Sequence, residues 1–118
     1  MTYPNEINDY MEYEDAFVSK YKANLAPRFL GLGIPRGWRK LVEEFMDSVA
    51  GTEFQAIQIK EKFGGLRIYG SGPVTPEYIK VIVKANHTCS ICGEEGKLRS
   101  TNWLAVLCDK HYEESTKD

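Results

Sequence analysis

The chain has 118 residues, which is enough for one domain or for one domain with a small metal-stabilised module. Its 15 Lys and Arg against 17 Asp and Glu give a net charge of −2, which argues against a protein that coats nucleic acid through bulk charge. With 42% hydrophobic and 27% charged residues, no apolar run near the ~20 residues of a membrane helix, and no secretory signal at the start, the sequence predicts a globular cytosolic protein.

The first predicted element is a helix that begins near Ile7. Apolar residues recur at helical spacing as far as Leu25, and Pro27 supplies a stop. Acidic residues crowd this end of the chain: Glu6, Asp9, Glu12, Glu14 and Asp15. They form either a solvated helix face or a surface that shields or binds something basic. The next run, RFLGLGIPRG, is rich in Gly and Pro and predicts a loop.

Two further helices are predicted on either side of a β-hairpin. From Trp38 to Val49 the apolar residues follow the spacing of an amphipathic helix, and Gly51 ends it. After the hairpin, Thr75 as N-cap and Pro76 at the first helical position announce another helix. Its predicted buried stripe consists of Ile79, Ile82 and Val83.

The hairpin is predicted from the stretch KEKFGGLRIY, with Gly64 and Gly65 as a two-residue turn. This register places Phe63 opposite Leu66 and Lys62 opposite Arg67. Side chains alternate between the faces of a strand, so the two faces differ in chemistry. One face carries Ile57, Ile59, Phe63, Leu66 and Ile68. The other carries Gln58, Lys60, Lys62, Arg67 and Tyr69.

The polar face of this hairpin is a candidate site for an anion or nucleic acid, with Lys60, Lys62, Arg67 and Tyr69 as its residues. Like charges directly opposite each other repel, and an anionic partner would relieve that repulsion. The alternative is a solvated face whose cations serve solubility. Glu61 points to the apolar face in this register, which implies a β-bulge nearby or a buried cation as its partner.

All three cysteines and one of the two histidines form a metal-binding pattern near the C-terminus. Cys89 and Cys92 make a C-x2-C pair, and Cys108 and His111 make a C-x2-H pair. Two-residue spacing turns both side chains of a pair toward one ion, and three thiolates with one imidazole suit tetrahedral Zn²⁺. The alternative is three unrelated thiols beside a surface histidine.

The residues between the two pairs predict how the site is built. Gly93 completes a knuckle turn, Lys97 to Ser100 and Asn102 to Leu107 form two strands, and a helix opens at Cys108. This order resembles a treble-clef zinc finger. Four ligands leave no position for a catalytic water, so the zinc is expected to be structural. A treble-clef nuclease is a further alternative, but it would need a histidine base on this hairpin, and Lys97 to Leu107 contains no histidine.

The elements together predict an α+β fold in which helices pack on a β-hairpin, followed by a treble-clef-like zinc finger. Residues 1–36 form the N-terminal helix and loop, 37–86 the α-β-hairpin-α core, and 87–118 the zinc-finger module, in one compact unit. The sequence contains no phosphate-binding loop. We therefore expect a protein that is not an enzyme.

Four blocks carry a resemblance to a known family: GWRKLVEEF, QIKEKFGGLRIY, TCSICGEEGKLRS and NWLAVLCDKH. They resemble small, mostly uncharacterised proteins of bacteriophage and prophage genomes, which have a helix, a KEKFGGLRFY-like hairpin and a C-terminal zinc finger. The likeness spans about Gly37 to Glu114, and Ile68 stands where the family usually has an aromatic residue. The resemblance implies a phage-type origin and zinc.

Two classes of function follow as expectations. In the first, the chain is a phage accessory protein in the host cytoplasm that binds a host protein or ribonucleoprotein, for example to inhibit a defence system. In the second, it binds nucleic acid or a nucleotide through the basic hairpin face and the finger, with Tyr69 or Trp103 as a stacking platform. The net charge favours the first class.

Overall fold

The computed structural model of the chain describes the backbone of residues 4–116 and the side chains of residues 9–116. Within that range the chain is α+β, as predicted, with four α-helices and two small sheets. The helices are α1 (Pro4–Tyr21), α2 (Arg39–Ser48), α3 (Glu77–Ala85) and α4 (Asp109–Ser115). The strands are β1 (Leu32–Gly33), β2 (Gln55–Lys62), β3 (Gly65–Ser71), β4 (Lys97–Ser100) and β5 (Leu104–Leu107). None of the described helices combines the length and the apolar character that crossing a membrane requires.

The hydrophobic core lies around α2, the helix that the apolar spacing predicts most clearly. The largest side chains that it and its flanking turns bury completely are Trp38, Val42, Phe45, Met46 and Val49. Ile59 and Leu66 on the inner face of the first sheet belong to the same core. Trp38 lies in a short 3-10 turn, Arg36–Trp38, that leads into the helix.

The first helix and the segment after it differ from the prediction. The α-helix ends at Tyr21, and a 3-10 turn, Lys22–Asn24, follows it. The buried Asn24 side chain donates hydrogen bonds to the carbonyls of Val49 and Phe54, at 3.1 and 2.9 Å, which ties this turn to the core. The predicted loop contains the strand β1, which pairs in parallel with β2. A strand of two residues is too short to produce a periodic pattern.

Part of the N-terminal acidic cluster binds basic groups of the chain itself. Asp9 accepts hydrogen bonds from Arg36 at 2.8 Å and from Arg39 at 3.1 Å. The hydrogen bond from Arg39 is the main reason why the pKa of Asp9 lies below its usual value. Glu14 accepts a hydrogen bond from the Leu32 backbone N–H at 2.9 Å. Glu6 lies outside the residues whose side chains the structure describes.

The predicted register of the central hairpin is wrong by two residues. The turn is formed by Phe63 and Gly64, with φ of 53° and 81°, and Gly65 is the first residue of β3. Lys60, and not Lys62, therefore lies opposite Arg67. The Glu61 carboxylate accepts a hydrogen bond from the Gly64 N–H at 2.7 Å, which stabilises this turn.

A shift of two residues keeps the predicted faces, because side chains alternate with a period of two. Ile59, Leu66 and Ile68 are buried, as predicted. Two residues of the predicted apolar face are exposed instead: Phe63, which lies in the turn, and Ile57, which lies at a bulge between Ala56 and Gln58. Both explanations predicted for Glu61, a nearby β-bulge and a buried cation, are wrong. Its partner is the Gly64 N–H, and the bulge lies between Ala56 and Gln58.

The buried stripe predicted for α3 is also wrong. Val81 and Ala85 are fully buried and Ile82 is half-buried, whereas Ile79 and Val83 are exposed. The helix contains four apolar β-branched residues within Ile79–Val83, so its sequence allows more than one apolar stripe. Packing against α2 and β3 selects the stripe that contains Val81.

Candidate metal centre

The metal-ligating side chains predicted from the sequence come together in the structure. The donor atoms of Cys89, Cys92, Cys108 and His111 lie within 4.8 Å of one another, and this cluster can hold a metal ion. The first two cysteines lie on the knuckle, residues 89–93, that follows α3. Cys108 is the N-cap residue of α4, and His111 lies in its first turn.

The distances between donor atoms test whether the cluster fits zinc. In a regular tetrahedron with Zn–S of ~2.3 Å and Zn–N of ~2.05 Å, two sulfur atoms lie ~3.8 Å apart and a sulfur and a nitrogen lie ~3.6 Å apart. Here the sulfur atoms of Cys92 and Cys108 are 3.8 Å apart, and the Cys89 sulfur is 3.6 Å from Nδ1 of His111. The Cys108 sulfur is 3.2 Å from the same nitrogen. The three cysteines are free thiols. Two of these three distances match the tetrahedral values, the third is shorter, and the donor types suit zinc.

Backbone N–H groups favour the thiolate forms that a metal requires. The N–H of Glu94 donates to the Cys92 sulfur, and the N–H of His111 donates to the Cys108 sulfur, each at 3.5 Å. Burial opposes ionisation of Cys89, but hydrogen bonds from the backbone of Cys92, Cys108 and Ile91 outweigh it and lower the pKa of Cys89 to about 6. Although the Glu94 N–H favours the Cys92 thiolate, desolvation and the neighbouring sulfurs raise the pKa of Cys92.

Arg99 contacts α4, the helix that carries two of the candidate ligands. Its Nη2 donates to the Asp109 carboxylate at 2.6 Å and its Nε donates to the Leu107 carbonyl at 3.2 Å. Its guanidinium also lies 4.4 Å from the centre of the Tyr112 ring. The hydrogen bond from Arg99 keeps the pKa of Asp109 below its usual value. The sequence gives no signal for this role, because an arginine on a short strand is normally solvated.

The knuckle also packs directly on the core, a contact that the sequence does not predict. The Gly37 N–H donates to the Ser90 carbonyl at 2.9 Å, and the Trp38 indole N–H donates to the Thr88 carbonyl at 2.8 Å. A Cβ atom at Gly37 would lie 2.1 Å from the Cys89 carbonyl oxygen. The approach of the two backbones therefore requires glycine at this position.

The candidate anion-binding residues lie on one side of the first sheet, which we call the outer face. Lys62, Arg67 and Tyr69 are exposed and Lys60 is half-buried. Nζ of Lys60 lies 5.8 Å from the centre of the Tyr69 ring. Among residues 9–116, the ion pairs do not involve any of these three cations. The structure thus brings the four residues together.

A cleft that the sequence does not predict lies between the two hairpins. We call it the hairpin cleft. Its volume is about 620 Å³. Phe63 and Gly64 of the first hairpin form one wall, and Trp103 and Leu104 of the second form the other. Phe63 is 71% exposed and Trp103 is 70% exposed. The sequence signal was misleading for Phe63, which alternation assigns to the core.

Comparisons of the chain with models of protein families, with curated proteins and with solved structures gave no match. The structure therefore defines a small α+β protein with a Cys3His cluster that can hold a metal ion. What the protein does has to be inferred from its own surfaces.

Proposed function

We propose that this chain is a zinc-stabilised binding protein, without catalytic activity, that recognises a partner protein through the hairpin cleft. The metal is structural Zn²⁺ held by Cys89, Cys92, Cys108 and His111. Four protein donors at tetrahedral spacing complete the coordination sphere, so no position remains for a substrate or an activated water. The finger is too small to bury a core of its own, and metal binding supplies the missing folding free energy.

The observation that carries the proposal of partner binding is the conformation of Phe63. This residue has a φ of 53° and exposes most of its side chain to solvent. Positive φ costs a non-glycine residue of this kind about 1–2 kcal/mol, and exposure of a large apolar ring adds to the cost. Such outliers cluster at sites of function. Trp103, on the second hairpin, lines the same cleft and is equally exposed, so both aromatic rings are available to contact a ligand.

The partner that we propose is a host protein or ribonucleoprotein, and the chain is a phage-type accessory protein, for instance an inhibitor of host defence. The resemblance to small phage proteins supports this origin. Exposed aromatic residues around a cleft also suit protein recognition, because Trp and other aromatic side chains dominate the energetics of protein interfaces.

The test is capture of a partner from host lysate by three forms of the immobilised protein. The first is the wild type, and the second carries Phe63→Ser with Trp103→Ser. The third is a matched control with Arg67→Ser and Tyr69→Ser on the outer face. The proposal expects the wild type and the control to retain the same protein band and the aromatic variant to lose it, after nuclease treatment as before. Equal capture by all three forms would contradict it.

A second candidate function is binding of single-stranded nucleic acid or a nucleotide on the outer face. The supporting observation is that Lys60 and Arg67 are directly opposed and have no carboxylate partner among the described side chains. If this face binds phosphates, the logarithm of affinity should fall with the logarithm of salt concentration, by about 0.7 per single-strand phosphate neutralised. Lys62→Glu with Arg67→Glu should then abolish binding at low salt. Unchanged binding by this double variant would exclude the outer face.

A further inference from the structure

The chemistry of the hairpin cleft indicates what kind of segment it takes. Its floor is apolar, since Ile34, Trp38 and Val106 are all buried. Its rim carries the exposed rings of Phe63 and Trp103. A bulky apolar side chain that enters the cleft would exchange contact with water for contact with the apolar floor and the two aromatic rings. The cleft is therefore a pocket for an apolar anchor residue.

Among residues 9–116, Glu61 is the one charged residue that lines the cleft. Its Oε2 accepts a hydrogen bond from the Gly64 N–H at 2.7 Å, and no other described group forms a hydrogen bond or an ion pair with this carboxylate. The second oxygen is thus available to a ligand. No lysine or arginine is present among the described residues that line the cleft. A phosphate or a carboxylate next to Glu61 would be repelled by this like charge, whereas a cation would be attracted to it.

We infer that the hairpin cleft binds an extended segment of a partner protein in which a bulky apolar side chain lies next to a lysine or arginine. The apolar side chain occupies the space between Phe63 and Trp103, and the cation pairs with Glu61. This inference rests on the proposed function and names the recognition element of that partner.

The two walls of the cleft come from different parts of the chain, which makes the site depend on the metal. The wall with Trp103 belongs to the finger, and the wall with Phe63 belongs to the core hairpin. The two touch at the turn, where a Cβ atom at Gly64 would lie 2.6 Å from Cδ1 of Leu98. Removal of zinc releases the finger wall, so the cleft loses its ligand with the metal. By linkage, a bound ligand raises the affinity of the protein for the metal by the same factor.

The experiment is a selection of random dodecapeptides displayed on phage against the zinc-loaded protein of 118 residues. Peptides retained by a Phe63→Ser, Trp103→Ser variant are discarded. We expect enrichment of an aromatic or large aliphatic residue next to Lys or Arg. An enriched peptide, synthesised and titrated, should bind the Trp103→Ala variant at least about tenfold more weakly, because aromatic anchors dominate such interfaces. Its dissociation constant should rise similarly when a chelator has removed the zinc.

The Glu61→Gln variant isolates the charge from the fold, because the glutamine carbonyl oxygen can still accept the hydrogen bond from Gly64. We expect it to weaken the selected peptide by about three- to tenfold and to leave a peptide with Gln in place of its cation unaffected. Arg67→Gln, on the outer face and not among the described residues that line the cleft, is the matched control and should not weaken the peptide.

Several results would overturn the inference. The inference is contradicted if acidic peptides are enriched, or if no peptide prefers the wild type over the Phe63→Ser, Trp103→Ser variant. It is also contradicted if the wild type and Glu61→Gln bind the selected peptide equally well. A dimer of the wild type that Trp103→Ser abolishes would also contradict it, since the cleft would then serve a second copy. Binding of single-stranded oligonucleotides that depends on Phe63 would do the same. Capture of a host protein by both the wild type and the aromatic variant would refute the cleft as the site while partner binding itself stands.

Discussion

Phe63 combines two unfavourable features in one residue, a left-handed backbone and a solvent-exposed ring. Gly37 presents the opposite case, because its missing side chain allows the knuckle to pack on the start of α2. Both residues are replaceable without altering the metal ligands. Substitution of Phe63 therefore tests partner binding, and substitution of Gly37 separately tests how the zinc-finger module is attached to the core.

Phe63→Asn should leave the protein as stable as the wild type or stabilise it by about 1 kcal/mol, because Asn tolerates positive φ at this turn position. The same variant should lose the partner. Urea unfolding followed by circular dichroism measures the first effect and partner capture the second. Tyr69→Asn, which replaces an exposed aromatic of the outer face, is the control and should retain the partner. Destabilisation of Phe63→Asn by more than about 1 kcal/mol would assign Phe63 a structural role.

Gly37→Ala should destabilise the protein by about 1–3 kcal/mol, since the new methyl group would overlap the Cys89 carbonyl and force the backbones apart. Zinc should also be lost faster to a chelator. Gly65→Ala is the matched control, because a Cβ atom there makes an ordinary 3.5 Å contact with the Lys62 carbonyl oxygen and φ is not positive. If both variants unfold at the same urea concentration as the wild type, the knuckle does not pack on Gly37.

Among the elements, the amphipathic helix α2, the strand–turn–strand arrangement and the clustering of three cysteines with His111 could be predicted, because each has a local signal in the sequence. Apolar spacing, a Gly-Gly pair and Cys-x2-Cys spacing depend on a few neighbouring residues. The features it could not predict depend on distant contacts. The hairpin turn lies at Phe63 and Gly64, where a hydrogen bond between the Gly64 N–H and the Glu61 carboxylate stabilises it. Packing against α2 determines which apolar stripe of α3 is buried. The cleft exists only because two hairpins meet.

The position of α4 should control how tightly the metal is held. Arg99→Gln removes the ion pair with Asp109 and the stacking on Tyr112, so the helix that presents Cys108 and His111 is less constrained. We expect zinc release to a chromophoric chelator to be about tenfold faster, because the contacts that orient the ligand-bearing helix are lost. Arg67→Gln on the outer face is the control and should release zinc at the wild-type rate. Equal release by the two variants would show that the ligands position themselves.

The zinc affinity should fall as the pH falls, because each ligand must lose its proton to bind. Cys89, with a pKa of about 6, is already a thiolate at neutral pH and releases no proton there. Below pH 6 it does, so the slope of log affinity against pH should steepen by at least about one unit. Chelator competition between pH 5 and 8 measures this slope. A constant slope across this range would contradict the lowered pKa of Cys89.

At the scale of the whole molecule, the finger and the core share contacts through Trp38, which is fully buried and donates to the Thr88 carbonyl. Loss of zinc should therefore alter the packing of the core around Trp38. In a Trp103→Phe variant, Trp38 is the remaining tryptophan, and its fluorescence should shift to longer wavelength when a chelator removes the metal. Restoring zinc should reverse the shift. Unchanged emission with the metal removed would show that the finger unfolds independently.

We propose that three thiolates and one imidazole hold one zinc ion and thereby complete the fold. X-ray absorption at the zinc edge, combined with metal analysis of the same purified protein, measures both the metal content and the ligand atoms. We expect one zinc per chain with three sulfur ligands at ~2.3 Å and one nitrogen ligand at ~2.0–2.1 Å. Cys92→Ser should lose this signature. Protein purified without zinc, a disulfide among the three cysteines, or a coordination shell that includes a water oxygen would refute a structural zinc site.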